Sequence, residues 1–116
     1  MDRVKDKVIV ITGAASGLGL ADARALVSQG AKVVMTDIDA EAGQSHASDI
    51  GATFFTQDVS NEASWDELMG QVEQQFGRLD GLVNNAGIAI GTPPEDISEA
   101  DWDAVLDTNL KSVFWC

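Results

Sequence analysis

The sequence predicts an α/β fold, a parallel sheet with helices on both faces, on three observations. Four short runs rich in β-branched and other apolar residues alternate with four longer segments of mixed polarity. The connections between them are short and marked by Gly, Asp, Asn or Ser. No repeat or low-complexity stretch interrupts the alternation. Strands that alternate with helices run parallel, because each helix returns the chain to the start of the sheet by a right-handed crossover. Such strands are buried on both faces and read as continuous apolar runs.

Each element has its own justification. Residues 7–12 (KVIVIT) form the first strand, and a glycine-rich turn follows. Residues 18–29 form a helix closed by Gly30, a residue type suited to the position just past a helix end. Residues 32–37 (KVVMTD) form a second buried strand, residues 39–49 a polar, Ala-rich helix closed by Gly51, and residues 53–57 (TFFTQ) a third strand. Ser60 is the expected N-cap of the next helix, whose Trp65, Leu68, Met69, Val72 and Phe76 recur at helical spacing before Gly77. Residues 81–84 (GLVN) form a fourth strand. A loop with Pro93 and Pro94 then leads to Ser98, the expected N-cap of a last helix that runs to Cys116. Trp65 and Trp102, both in apolar stripes, are expected in the core, and His46 on a solvated face.

Composition narrows the partners. At 116 residues the chain has the length of one domain, and 45% hydrophobic residues suffice for a core. The net charge of −12, from 19 acidic and 7 basic residues, repels nucleic acid and anionic lipid. A bound phosphate therefore has to be held by backbone N–H groups. The single cysteine, Cys116, leaves no internal disulfide and fits a reducing compartment. No His/Cys/Asp/Glu cluster has metal-ligand spacing, so no metal is expected. The charged N-terminus precedes only four apolar residues, too few for a signal peptide or a membrane span, so a cytoplasmic protein is expected.

The turn after the first strand reads Thr12-Gly13-Ala14-Ala15-Ser16-Gly17-Leu18-Gly19. Glycine lets the backbone approach an anion and reach conformations that a Cβ forbids. The helix opening there offers unpaired N–H groups and the positive end of its dipole to a pyrophosphate. Gly19 lets that helix lie close to the strand. No Lys-Ser/Thr pair follows, which argues against a nucleoside-triphosphate loop. Asp37 ends the second strand eighteen residues past Gly19, where a carboxylate accepts hydrogen bonds from an adenosine ribose. Its charge repels a 2′-phosphate, and no Arg or Lys stands at Ala14, Ala15 or Ile38 to offset it. NAD is therefore expected over NADP.

Together these residues resemble the classical short-chain dehydrogenases/reductases. The glycine turn is similar to that family's glycine motif, Asp58-Val59 to its adenine-contacting pair, and Asn84-Asn85-Ala86-Gly87 to its NNAG signature. The resemblance implies the N-terminal portion of a Rossmann-like doubly wound sheet, about four strands with flanking helices. It implies that Gly13, Ser16, Gly17, Leu18 and Gly19 line the pyrophosphate, Asp37 binds the adenosine ribose, and Asp58 and Val59 flank the adenine, with Ile38 also among the cofactor-binding residues. Asn85, Ala86 and Gly87 would border the nicotinamide side, and Asn84 would brace the sheet. The activity implied is hydride transfer between a nicotinamide and an alcohol or ketone. A homo-oligomer is expected, because Val113, Phe114 and Trp115 put apolar residues on more than one side of the last helix, a surface that calls for a partner.

Asn109 falls in the apolar stripe of the last helix, with Trp102, Val105, Leu106, Leu110, Val113 and Phe114. An amide facing a core must find partners, which marks Asn109 as a structural bridge or a site residue. The resemblance places the catalytic Asn there. The family's catalytic Tyr and Lys have no counterpart, since the chain contains no tyrosine, and no serine matches either. Motifs intact up to Asn109 suggest a chain cut within the helix that starts near residue 99. Three readings stay open: the cofactor-binding part of an NAD-dependent oxidoreductase, a free-standing NAD(H)-binding module, or a structural fragment that associates through its last helix.

Overall fold

The structure, a computed structural model, describes residues 2–116. Strands β1 (Val8–Thr12), β2 (Lys32–Asp37), β3 (Thr53–Thr56) and β4 (Gly81–Val83) form one sheet in the order β3-β2-β1-β4. Every pairing is parallel, with Thr12 beside Thr36 and Ile11 beside Val83. Helices α1 (Gly17–Ser28), α2 (Ala40–Ile50) and α3 (Glu62–Phe76) connect the strands. After β4 the chain passes through a 3-10 turn (Pro94–Asp96) to α4 (Glu99–Leu106). A π-helical turn (Asp107–Lys111) joins α4 to α5 (Ser112–Trp115). The fold is the α/β architecture expected, Rossmann-like, with strand bounds shifted by one residue at Val8, Thr56 and Val83.

β1 is buried along its length, and its side chains serve opposite faces in alternation. Ile9 and Ile11 join Val33 and Met35 of β2, Ala23 of α1 and Ala47 of α2 in one cluster. Val8, Val10 and Val34 meet Trp65, Leu68 and Val72 of α3 in the other. Two helices thus cover one face and α3 covers the other. Each fully buried aliphatic side chain contributes about 1.5–3 kcal/mol. The chain steps from β1 to β2 and β3 on one side, then returns to place β4 on the other. A crevice therefore opens at the C-terminal ends of β1 and β4, the place where such sheets take ligands.

Three sequence expectations need correction. Asn61, not Ser60, caps α3, its side chain accepting from the N–H of Ala63 at 2.9 Å. Ser60 instead turns its hydroxyl to the Asp58 carboxylate at 2.6 Å, because an Asx turn forms before the helix begins. His46 is half-buried rather than solvated, with its Nδ1 shut away from water and without a partner. The stripe on the last helix faces no core. Trp102, Leu110 and Phe114 are 56%, 65% and 79% exposed. Among the described residues no strand lies under that arm, which extends them to 49 × 26 × 25 Å. Ser98 caps α4 as expected, accepting from the N–H of Asp101 at 3.1 Å.

Candidate functional site

A cleft of about 470 Å³ lies at the C-terminal ends of the strands. It gathers segments from four connections: Gly13, Ser16, Gly17 and Leu18 after β1, Asp37 and Ile38 after β2, Asp58 and Val59 after β3, and Asn85, Ala86 and Gly87 after β4. Eleven of the twelve residues that the sequence nominates for a cofactor thus share one cleft. Gly19 is the exception and lies beneath the turn. A Cβ there would meet the Asn85 side chain and the Gly13 carbonyl at 2.5 Å each. Its role is the close approach of α1 to the strand ends.

The glycine turn is shaped by backbone geometry. Gly13 and Gly17 adopt φ of 63° and 57°, a region that side-chain-bearing residues rarely enter. A Cβ on Gly13 would collide with the Ala86 backbone at 2.7 Å, whereas the space beside Gly17 is open. The start of α1 at Gly17 and Leu18 lines the cleft, and the N–H groups of a helix's first turn, which have no partner within the helix, are the ones an anion takes. Ser16 precedes α1 but makes no side-chain cap bond, which leaves its hydroxyl free.

The loop after β4 is tied to the end of β1 by Thr12 and Asn85. The buried Thr12 hydroxyl accepts from the N–H groups of Asn85 and Ala86 at 3.1 and 3.0 Å and donates to the Val83 carbonyl at 3.4 Å. The Asn85 amide donates to the carbonyls of Thr12 and Gly13 at 3.0 and 3.1 Å. Asn85 therefore does the bracing expected of Asn84. Asn84 is exposed, and its amide donates to Cys116 Sγ at 3.5 Å. Both residues lie past the end of β4, where the Asn85 N–H turns back to the Val83 carbonyl at 3.0 Å and the chain bends across the end of β1.

Asp37 sits at the far end of the cleft. One carboxylate oxygen accepts from the N–H of Ala15 at 3.1 Å and the other from the N–H of Asp39 at 3.0 Å. These bonds orient the carboxylate and leave lone pairs for a ligand. Leu18 and Ile38 at the rim are 79% and 72% exposed, so two apolar side chains await a partner that removes them from water.

Asn109, in the π-helical turn, borders the site through Gly87 and Ile88 but does not itself line the cleft. Its amide accepts from the N–H of Ile88 and donates to the carbonyl of Ile88, both at 2.8 Å. The side chain thereby imitates a strand and clamps the loop just after Gly87. It does so at the surface, not in a core, which corrects the burial expected of it. Sequence reasoning missed three lining residues: Gln57, Ile88 and Thr108. Thr108 stands beside Asn109 in a π-helical turn, a distortion frequent at functional sites, but nothing in the sequence spacing marks it. Gln57 is buried, with its Oε1 lacking a partner.

The donor set fits a dinucleotide: open backbone N–H groups at one point, an oriented carboxylate at another, apolar rims between, and no Lys, Arg or His in the lining. Comparison with known proteins agrees with this geometry. The family model described as short chain dehydrogenase matches residues 7–116. The NADP-dependent (R)-specific alcohol dehydrogenase of Lentilactobacillus kefiri is 42% identical over 98% of this chain and 47% of its own length. The cyclopentanol dehydrogenase of Comamonas sp. is 39% identical over 98% of this chain and 48% of its own. A crystal structure of a short chain dehydrogenase from Bacillus anthracis superposes with a TM-score of 0.91 at 32% identity, over 95% of this chain and 48% of that one. The chain therefore spans about half the length of these relatives. With its fold, its glycine turn and its family match in agreement, this chain belongs to the short-chain dehydrogenase family.

Proposed function

We propose that this chain is the cofactor-binding part of an NAD(H)-dependent oxidoreductase that passes a hydride between a nicotinamide and the carbon of a small alcohol or ketone. The observation that carries the reading is the convergence of the glycine turn, Asp37, Asp58–Val59 and Asn85–Gly87 on one cleft. A bound nicotinamide supplies the carbon that exchanges hydride; this chain's residues bind and orient. Open N–H groups around Gly17 hold the pyrophosphate, Asp37 takes the adenosine ribose, and Leu18 and Ile38 cover apolar faces. Asn109 acts on the nicotinamide side by holding the loop at Ile88. The Tyr, Ser and Lys that complete the family's catalytic set have no counterpart in these 116 residues, so this chain alone is expected to bind without turnover.

NAD is the proposed partner although the Lentilactobacillus kefiri relative is NADP-dependent. Two carboxylates, Asp37 and Asp58, line the cleft with no cation among the lining residues. A 2′-phosphate brought within a few Å of Asp37 would cost on the order of a few kcal/mol in a surface cleft. The exposed apolar arm supports association as a homo-oligomer. The test is calorimetric binding of NADH and NADPH to the wild-type chain and to Asp37→Ala. Wild type is expected to prefer NADH, and the substitution to weaken NADH about tenfold or more while sparing NADPH. Equal losses for both would remove the ribose assignment, and no binding of either would remove the cofactor reading.

A further inference from the structure

The cleft wall at Asp58 and Val59 lies beyond the end of β3, where strand pairing has stopped. We infer that the first turn of α3 holds this wall in place, with Trp65 as a positioning residue for the adenine end of the cleft. The inference rests on the cofactor reading above.

Trp65 is buried among Val8, Val10 and Val34 of the two central strands. Its indole N–H donates to the carbonyl of Val59 at 2.9 Å, a bond shut off from water. Val59 lines the cleft, so this bond joins the wall directly to the buried cluster under α3. With its carbonyl turned toward α3, the Val59 peptide has one orientation relative to the cleft. Ser64, one residue earlier on the same turn, adds a second tie. Its hydroxyl lies 2.7 Å from the carbonyls of Asp58 and Asn61, and its single proton serves one of them at a time. Replacing the indole by a phenyl ring keeps an aromatic side chain in the core. It leaves the buried Val59 carbonyl without a donor and lets that peptide rotate.

The test uses the 116-residue chain with adenosine monophosphate and nicotinamide mononucleotide as probes, by calorimetry and by ¹H–¹⁵N spectra of the tryptophan indoles. Trp65→Phe is expected to weaken adenosine monophosphate about fivefold to tenfold, and Ser64→Ala about threefold, with nicotinamide mononucleotide changed by less than about twofold in either. The Trp65 indole peak, assigned by its loss in Trp65→Phe, should shift on adding adenosine monophosphate and stay still with the other probe. Equal weakening of both probes, or an unchanged adenosine monophosphate affinity, overturns the positioning role. Should Trp65→Phe not fold, Ser64→Ala decides by the same affinity criteria. In that event the wild-type indole peak that moves only with adenosine monophosphate is the one to follow. A wild-type chain that binds neither probe removes the cofactor reading and this inference with it. Binding of adenosine monophosphate with every indole peak unmoved removes the positioning role alone.

Discussion

Helix α3 and the arm formed by α4, the π-helical turn and α5 carry the same kind of apolar stripe. In α3 the residues Trp65, Leu68 and Val72 are buried against β1 and β2. In the arm, Trp102, Leu110 and Phe114 stand mostly in water. Both helices open on a capping side chain, Asn61 in one and Ser98 in the other. What differs is the surface opposite. α3 lies across the central strands, whereas the arm meets the body at its π-helical turn, through Thr108 and Asn109, and at its end, where Trp115 meets the α3 side of the core. Periodicity says which side chains share a face; it does not say that a surface exists to receive them. The two regions also differ in how polar groups anchor them. The segment after α3 is pinned at the other end of the sheet by Asp80, which accepts from the N–H of Val8 at 2.8 Å and pairs with Arg78. Near the cleft, the arm's side-chain anchor is the Asn109 clamp on Ile88.

The comparison breaks or sharpens in three measurements. The largest effect is expected from matched leucines: Leu68→Ala should lower stability by about 2–5 kcal/mol, and Leu110→Ala should change it by less than about 0.5 kcal/mol in the dissociated chain, read by chemical denaturation at low protein concentration, with a larger loss at Leu110 only as the proposed homo-oligomer forms. Similar losses at both positions would mean that the arm is covered in solution, by another copy or another protein. Next is the arm's anchor. Asn109→Ala removes both bonds to Ile88 and should cost about 1–2 kcal/mol locally. Hydrogen exchange should read this as faster exchange at the Ile88 amide and unchanged exchange in β1. Unchanged exchange at Ile88 would show that packing, not the amide, holds the loop.

The smallest effect concerns the opposite end of the sheet. The hydrogen bond from Arg78, and then the one from the Val8 N–H, hold the Asp80 carboxyl below its ordinary value of 3.8. A carboxylate with a depressed value in the folded chain contributes stability that is present above that ordinary value. The contribution is lost as pH falls through the lower, folded one. The gap in melting temperature between wild type and Asp80→Asn should therefore be constant near neutral pH and close below pH 3.8. A gap that persists in strong acid would mean that the Asn side chain fails for a reason other than charge.

Much of the site was legible in advance because its parts are local. A strand, a glycine turn and a helix start are set by neighbours in the chain, so Gly13, Ser16, Gly17 and Leu18 could be read as a unit. Asp37 could be read because it ends the second strand at the right distance from the glycine turn, whereas Asp58 and Asn85 were marked by resemblance to the family's motifs; parallel strands bring all three to one edge. Gln57 and Thr108 were not legible. Their place in the cleft depends on how β3 and the π-helical turn sit against the rest. The exchange of roles between Asn84 and Asn85 has the same origin, since both lie in the turn past β4 and the path of that turn across β1 decides which amide reaches Thr12 and Gly13.

By itself, then, the sequence determined the order and type of the elements, the two-faced burial of β1 and β2, and the glycine turn with Asp37. These follow from periodicity, turn chemistry and the handedness of crossovers, all of which act over short stretches of chain; the residues after β3 and β4 were marked instead by family motifs. Only the tertiary structure decided that Asn61 caps α3, that Gly19 lies beneath the cleft and not in it, and that the last helix turns its apolar side to water. Each depends on what stands opposite a residue, and in a folded chain that neighbour is set by distant segments.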